Sequence, residues 1–546
     1  MKYPTVYSLF KDRIQEYATD GVEPKDVFYF RAHDRWQGIS WQRFEEEAFD
    51  FATALLSLGL KRGGSVCILM GNVPEWPISD IGTIMAGGVG VGLYPTSSAE
   101  QIAYIINHSD AEFVLVDSQE QLQKVLSIRD RLAKVRHIIA LDAVSDGEVT
   151  KYRDLIARGH GERARLASLL RERAEGASSD DIAIMVYTSG TTGPPKGACL
   201  SHRYIINSVE SLRQTIPIYD TDVSFSYLPF CHVAERISGL YNRLYAGASA
   251  YFVDDLGRLG EYMLEVKPTV FASLPRFFEK IYARAVGDMQ QLPEAQWTEF
   301  KATRVKAYFG GRIRLATSGG APLPLEVGEF FAEAGLPILQ AYGLTENVCV
   351  AFNRPDNYKF GTVGPPMPGC EVRLADDKEI LVRSEMMFSG YYMAPDETAK
   401  VFSDGWLLTG DLGEFDEEGF LKIVGRKKEL IVTSTGKKVS PALLENMLKE
   451  HHAISQAMVY GEGRSYLVAL ITLNTPQSRE TIQSIVDNVN RRVSSTEAIK
   501  RFDILDRDFE IGRDEITPTG KLKRDVITKQ FRDVIDRLYL ATDEHR

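Results

Sequence analysis

Cysteine is scarce: five occur among 546 residues, at Cys67, Cys199, Cys231, Cys349 and Cys370, and none forms a CxxC pair. That scatter suggests neither a disulfide framework nor a cysteine zinc site, and it fits a reducing compartment. Long apolar runs are missing too. The least polar stretch, residues 81–94 (IGTIMAGGVGVGLY), is glycine-rich and shorter than the ~20 residues a membrane helix needs, so it reads as core. The first residues, MKYPTVYSLFKDRIQEYATD, mix charges from the start and lack an apolar signal core. No export is expected, and the location called is cytoplasmic, with peripheral contact at the inner face of a membrane as the closest approach to lipid. Positive charge is in deficit, with 64 Lys and Arg against 75 Asp and Glu and a formal net charge of −11. A general nucleic-acid binder needs the opposite balance.

What is present is ordinary soluble-protein composition, 44% hydrophobic and 25% charged, enough to bury a sizeable pocket. The length corresponds to roughly three or four domain-sized units. In the front part a helical period over 44–58 alternates with strand-like SVCILMG (65–71) and AEFVLVD (111–117), which predicts an α/β fold. Residues 160–180 are charged with a short apolar face and read as an exposed connection. From 361 to 425 short β-prone pieces separated by Gly, Pro and Asp predict a β-rich subdomain. Beyond it a small α+β domain is expected over 426–546, the body occupying 1–425.

The densest chemistry lies in YTSGTTGPPKG (187–197), a loop after the strand-like run 182–187 and before a second one, KGACLS. Glycines let backbone amides approach an anion, hydroxyls donate to phosphate oxygens and a lysine adds a compact charge. Composition alone also allows a plain hairpin turn. The Walker pattern fails, because Lys196 is preceded by Pro195 and followed by Gly197, and GGVGVGL (87–93) never completes the dinucleotide fingerprint.

The full string YTSGTTGPPKGACLSH resembles the phosphate loop of the adenylate-forming superfamily, which includes acyl-CoA synthetases, luciferases and peptide-synthetase adenylation domains. Further segments follow in that family's order: LPFCHVAER, SGGAPL, QAYGLTE, LLTGDLG, GRKKELIVTSTGKKVSP and ITPTGKLKRDVITKQFRDVI. The resemblance runs from about Asp50 to Leu538. Within the superfamily it is greatest to long-chain fatty acyl-CoA synthetases.

The resemblance implies a fold of two α/β sheet lobes plus the β-rich subdomain, with a small mobile C-terminal domain. It assigns Thr188, Ser189, Gly190, Thr191, Thr192, Gly193 and Lys196 to the triphosphate of ATP, and Gly320, Ala321, Tyr342 and Gly343 to the nucleotide. Thr345 would bind a phosphate oxygen and Glu346 would hold Mg²⁺, which favours one or two carboxylates plus substrate oxygens; read alone, the pair could cap a helix start. Asp411, read as following a strand in a tight turn, would accept the ribose hydroxyls, with Arg426 on the nucleotide. His232 would face the reacting carboxylate; by itself it could be a satisfied core histidine. Lys428 becomes the hinge, Lys437 the group serving thioester formation, and Lys521 the lysine that reaches back during adenylation. Lys521 is expected on a loop before one amphipathic helix bearing Val526, Ile527, Phe531, Val534 and Ile535. STG at 434–436 departs from the usual glycine pair.

The activity implied is ATP-dependent ligation of a fatty acid to CoA through acyl-AMP. The alternatives are delivery to a carrier-protein thiol, an aromatic or other acid as substrate, or a catalytically silent nucleotide- or acyl-binding protein. Chain length and oligomeric state are not set by the sequence.

Overall fold

The computed structural model describes residues 2–18, 25–141, 148–188, 194–434, 436–517 and 520–540. Its first lobe is a seven-stranded sheet in the order Val149–Lys151, His137–Ala140, Phe113–Val116, Ser65–Leu69, Val89–Gly92, Ile182–Thr188, Lys196–Ser201. All neighbours are parallel except the last two strands, an antiparallel hairpin that pairs Thr188 with Lys196. Ser65–Leu69 and Phe113–Val116 are buried at every position, as expected of parallel strands covered on both faces. The stretch 81–94 is core: it closes helix Glu75–Met85 and forms strand Val89–Gly92. Among the described residues no helix is long and apolar enough to cross a membrane.

The charged stretch at 160–180 is not a mere connection. It continues the 24-residue helix Tyr152–Glu175, which buries Leu155, Leu166, Leu170 and Ala174. This helix crosses Trp41–Ser57 at Gly159, where a Cβ would fall 1.8 Å from the Asp50 carbonyl oxygen. A glycine that looks like a breaker is what permits the close approach.

The second lobe has two four-stranded sheets. One runs Val223–Ser226, Ser249–Phe252, Asp26–Ala32, Arg35–Ser40; the other Val270–Ser273, Leu315–Ser318, Ile338–Leu344, Asn347–Phe352. They meet where the Thr269 amide donates to the Val223 carbonyl at 2.9 Å. The expected β-rich subdomain is a five-stranded sheet of Cys370–Leu374, Glu379–Ser384, Trp406–Phe415, Phe402–Ser403 and Leu421–Arg426. After a short turn at Lys427–Glu429 comes a unit with its own apolar clusters. It holds the hairpin Ile431–Val432 with Lys438–Val439 and the sheet Ile454–Tyr460, Leu467–Leu473, Ile499–Ile504. The terminal amphipathic helix is in fact two, Arg524–Gln530 and Arg532–Leu540, broken at Phe531.

Candidate active site

Strands from both lobes and the β-rich sheet deliver their ends to one region. Tyr342 lies on Ile338–Leu344, and Thr345 and Glu346 form the turn to Asn347–Phe352. The pair is therefore the tip of a β-hairpin and caps no helix. Gly343 is required there, since a Cβ would sit 2.0 Å from the Val348 carbonyl oxygen. Buried Tyr204 clamps the tip from behind: its hydroxyl donates to the Thr345 carbonyl at 2.9 Å and accepts from the Val348 amide at 3.0 Å.

Asp411 does not follow a strand. It lies inside Trp406–Phe415, paired in register with Arg426, next to Gly410 at φ 73° and a ladder irregularity. Such a bulge re-aims a side chain. The Asp411 carboxylate accepts from the Tyr342 hydroxyl at 2.7 Å and lies 3.0 Å from Arg426 Nε. Burial, and secondarily Asp411, push the Tyr342 hydroxyl pKa well up, so it is a neutral donor. Gly320, at φ 79°, and Ala321 occupy the bend after strand Leu315–Ser318.

Lys196 opens strand Lys196–Ser201. Its ammonium is ion-paired with Glu397 and lies 5.2 Å from the centre of the Tyr391 ring, whose hydroxyl donates to Glu346 Oε1 at 2.5 Å. Two of the expected phosphate-handling groups are thus linked through one tyrosine. Lys196 and Lys400 hold the Glu397 carboxyl down at about 2. Of the expected loop residues, Thr188 ends its strand, while Ser189, Gly190, Thr191, Thr192 and Gly193 lie outside the described residues.

His232 is half-buried just before the π-helical segment Ala234–Tyr241. Its Nδ1 accepts from the Ala234 amide at 3.2 Å, which assigns the proton of the neutral ring to Nε2. Burial first, and then the charge of Lys521, depress its pKa to about 4. Lys521 arrives from the C-terminal unit on a tight loop in which the Thr517 amide donates to its carbonyl at 2.8 Å. The lysine is itself exposed. Crowding by protein, then Arg426, pushes its pKa down, against the opposing pull of Asp411, Glu429 and Glu346. Lys521 is therefore within electrostatic reach of His232, Arg426, Asp411 and Glu346 together.

Two expected residues stand outside this cluster. Lys428 is in the connecting turn, and Lys437 is exposed on the small hairpin, its carbonyl accepting from the Thr433 amide at 3.0 Å. Sequence reading missed Tyr204, Tyr391 and Glu397. The last two stand in GYYMAPDETAK, where an aromatic pair and an acid close to the β-rich sheet were the available signal.

Comparison with known proteins gives the family and the fold. Residues 18–392 match the AMP-binding enzyme family, and residues 428–543 match the AMP-binding enzyme C-terminal domain. The chain belongs to the AMP-binding enzyme family. It is 32% identical over 581 residues to a long-chain-fatty-acid–CoA ligase of Mycobacterium tuberculosis, covering 95% of each chain. It is 31% identical over 626 residues to a long-chain-fatty-acid–CoA ligase of Rattus norvegicus, covering 98% of this chain and 85% of that one. Among solved structures it superposes on an anthranilate CoA ligase in complex with anthranoyl-AMP with a TM-score of 0.80, at 23% identity and 97% coverage of both chains. The A-PCP didomain of a carboxylic acid reductase from Segniliparus rugosus, in complex with AMP, gives 0.80 at 22% identity, covering 98% of this chain and 82% of that one. These similarities carry the fold, with its large N-terminal body and smaller C-terminal unit.

Proposed function

We propose that this AMP-binding enzyme activates a long-chain fatty acid with ATP and transfers the acyl group to CoA. The observation that carries the reading is electrostatic: the charge of Lys521, from the small unit, acts on His232, and Lys521 in turn feels Arg426, Asp411 and Glu346 of the body. The relatives' names support the substrate. The body comprises residues 1–425 and the small domain 426–546, with Lys428 at the joint.

In the first step a carboxylate oxygen attacks the α-phosphorus of ATP, the new C–O–P link forms and the bond to pyrophosphate breaks. A carboxylate is a poor acyl donor, and the anhydride supplies a leaving group. Neutral His232 donates from Nε2 to the acid and orients it. The Lys521 ammonium neutralises charge gathering between carboxylate and α-phosphate, and Lys196 does the same at the outer phosphates once it leaves Glu397. Asp411 accepts the ribose hydroxyls. The single hard carboxylate of Glu346, steadied by Tyr391, would hold Mg²⁺, which when bound would supply neutralisation of phosphate charge. In the second step the CoA sulfur attacks the acyl carbonyl, the thiol proton is released and AMP departs. Lys521 must then vacate, which turning about Lys428 achieves while bringing Lys437 in. Contact with the inner face of a membrane is peripheral, so extraction needs no detergent.

The test is incubation of the purified protein with ATP, CoA and a mixed pool of acids, identifying thioesters by mass, alongside pyrophosphate exchange. Long-chain acyl-CoA is expected. Aromatic thioesters, or adenylate accumulating without a thioester, would replace this reading with another acid or a carrier-protein acceptor.

A further inference from the structure

Outside the connecting turn, one tie between the small unit and the body is Arg276, the second residue of helix Pro275–Gln290. Its Nη1 donates to the Ser455 carbonyl at 2.8 Å, and its Nη2 to Ser455 Oγ at 2.7 Å and Asp508 Oδ2 at 3.1 Å. A weaker approach, Lys449 to Glu279 at 4.0 Å, lies on the same helix face, and Arg276 itself is 3.7 Å from Glu279. We infer that Arg276 is a positioning residue for the first half-reaction, latching the small unit in the orientation that presents Lys521. The inference rests on the role proposed above for Lys521.

Two features support it. Arg276 grips a rigid piece. Asp508 also accepts from Ser455 Oγ and Thr472 Oγ1, both as close as 2.5 Å, and so is fixed within its own unit. From Asp508 a continuous series of contacts leads to the lysine loop. The Phe509 amide donates to Gln456 Oε1 at 2.6 Å and the Glu510 amide to Glu515 Oε2 at 2.9 Å. Glu515 is fully buried and bridged twice by Arg507 at 2.7 Å, and its carbonyl accepts from the Lys523 amide at 2.8 Å, two residues from Lys521. A force applied at Asp508 is therefore transmitted to Lys521.

The grip is also reversible. The Arg276 and Asp508 side chains are 33% and 39% exposed, so water screens the pair and can replace each partner when it opens. A fully buried pair would lock the unit and forbid the second half-reaction. On the body side, helix Pro275–Gln290 follows strand Val270–Ser273, whose Ser273 accepts from the Tyr227 hydroxyl at 2.5 Å.

The experiment compares wild type, Arg276→Ala, Arg276→Lys and Lys521→Ala in acid-dependent pyrophosphate exchange and in thioester formation from supplied acyl-AMP and CoA. Arg276→Ala should lower exchange about tenfold, the scale of one lost charge-assisted contact, leave thioester formation equal or faster, and leave the melting temperature unchanged. Arg276→Lys should restore part of the loss. Trypsin should also cut the exposed joint at Lys427 and Lys428 faster in Arg276→Ala. If Lys521→Ala separates the half-reactions but Arg276→Ala changes neither, lowers both equally or raises KM for CoA, the latch is wrong and the role of Lys521 survives. If Lys521→Ala loses both half-reactions alike, the role of Lys521 falls and the latch with it.

Discussion

Tyr342 donates its hydroxyl to the Asp411 carboxylate at 2.7 Å, joining the second lobe's hairpin to the strand of the β-rich sheet that carries the proposed ribose contact. Asp411 keeps Arg426 at 3.0 Å when that bond is lost. Tyr342→Phe should therefore fold, at a cost of about 1 kcal/mol, and raise KM for ATP several-fold with little change in KM for the acid. Steady-state kinetics with each substrate varied in turn decides it; equal rises in both KM values would detach the tyrosine from the nucleotide.

On the proposed reading, Glu397 offsets the Lys196 charge that ATP would use. The two side chains are ion-paired, and the carboxylate beside the ammonium repels an incoming phosphate. Glu397→Gln should tighten ATP binding a few-fold and Lys196→Ala should weaken it by tenfold or more, about the size of a charged contact. Titration calorimetry with ATP and no acid measures both. Weaker binding in Glu397→Gln would make the glutamate a support for Lys196.

Removing one negative charge at the hairpin tip tests the metal role. Glu346→Gln preserves shape and the contact with Tyr391, yet should cut adenylation by about 10²-fold or more, as loss of a group acting on transition-state charge does. It should also raise the Mg²⁺ concentration giving half-maximal rate. An unchanged metal titration at an unchanged melting temperature would sink the assignment.

His232 ties stability to pH. Its pKa of about 4 in the fold lies below the ordinary value near ~6.5, so between the two the unfolded chain holds a proton that the native one does not. The stabilisation is full above about pH 6.5 and is lost as pH falls towards 4. Buried His202, also depressed to about 4 by burial, acts in the same direction. His232→Gln should therefore shrink the loss of stability between pH 7 and 5 without abolishing it, as read by urea unfolding at both values. Parallel curves for the two proteins would contradict the depressed pKa.

Much of the framework was legible because the chemistry is local. Runs such as SVCIL and FVLV are buried strands, and the two runs flanking the hydroxyl- and glycine-rich segment pair antiparallel. Non-local facts were hidden. The part of helix Tyr152–Glu175 beyond residue 160 reads as a connection because its exposed faces carry charge, and the close approach of Gly159 to the Asp50 carbonyl is seen only in the fold. The position of Asp411 depends on a ladder irregularity that a turn-like TGD does not announce. Glu397 and Tyr391 escaped because their partners stand 201 and 45 positions away, and side-chain meetings across such intervals leave no periodic trace.

The π-helical segment behind His232 also holds Arg236, fully buried and paired with an equally buried Asp80, which the Tyr241 hydroxyl touches at 2.6 Å. Changing either member alone strands the other charge in the interior, at about 3–5 kcal/mol, a large part of the ~5–15 kcal/mol that keeps a domain folded. Replacing both together with apolar residues of matching volume removes the stranded charge and leaves the smaller cost of the Tyr241 hydroxyl and the Gly90 carbonyl losing their partners. Single-step variation is thus barred at these two positions while paired variation is open, so mutant libraries built one codon at a time will find this wall immovable and combinatorial ones will not.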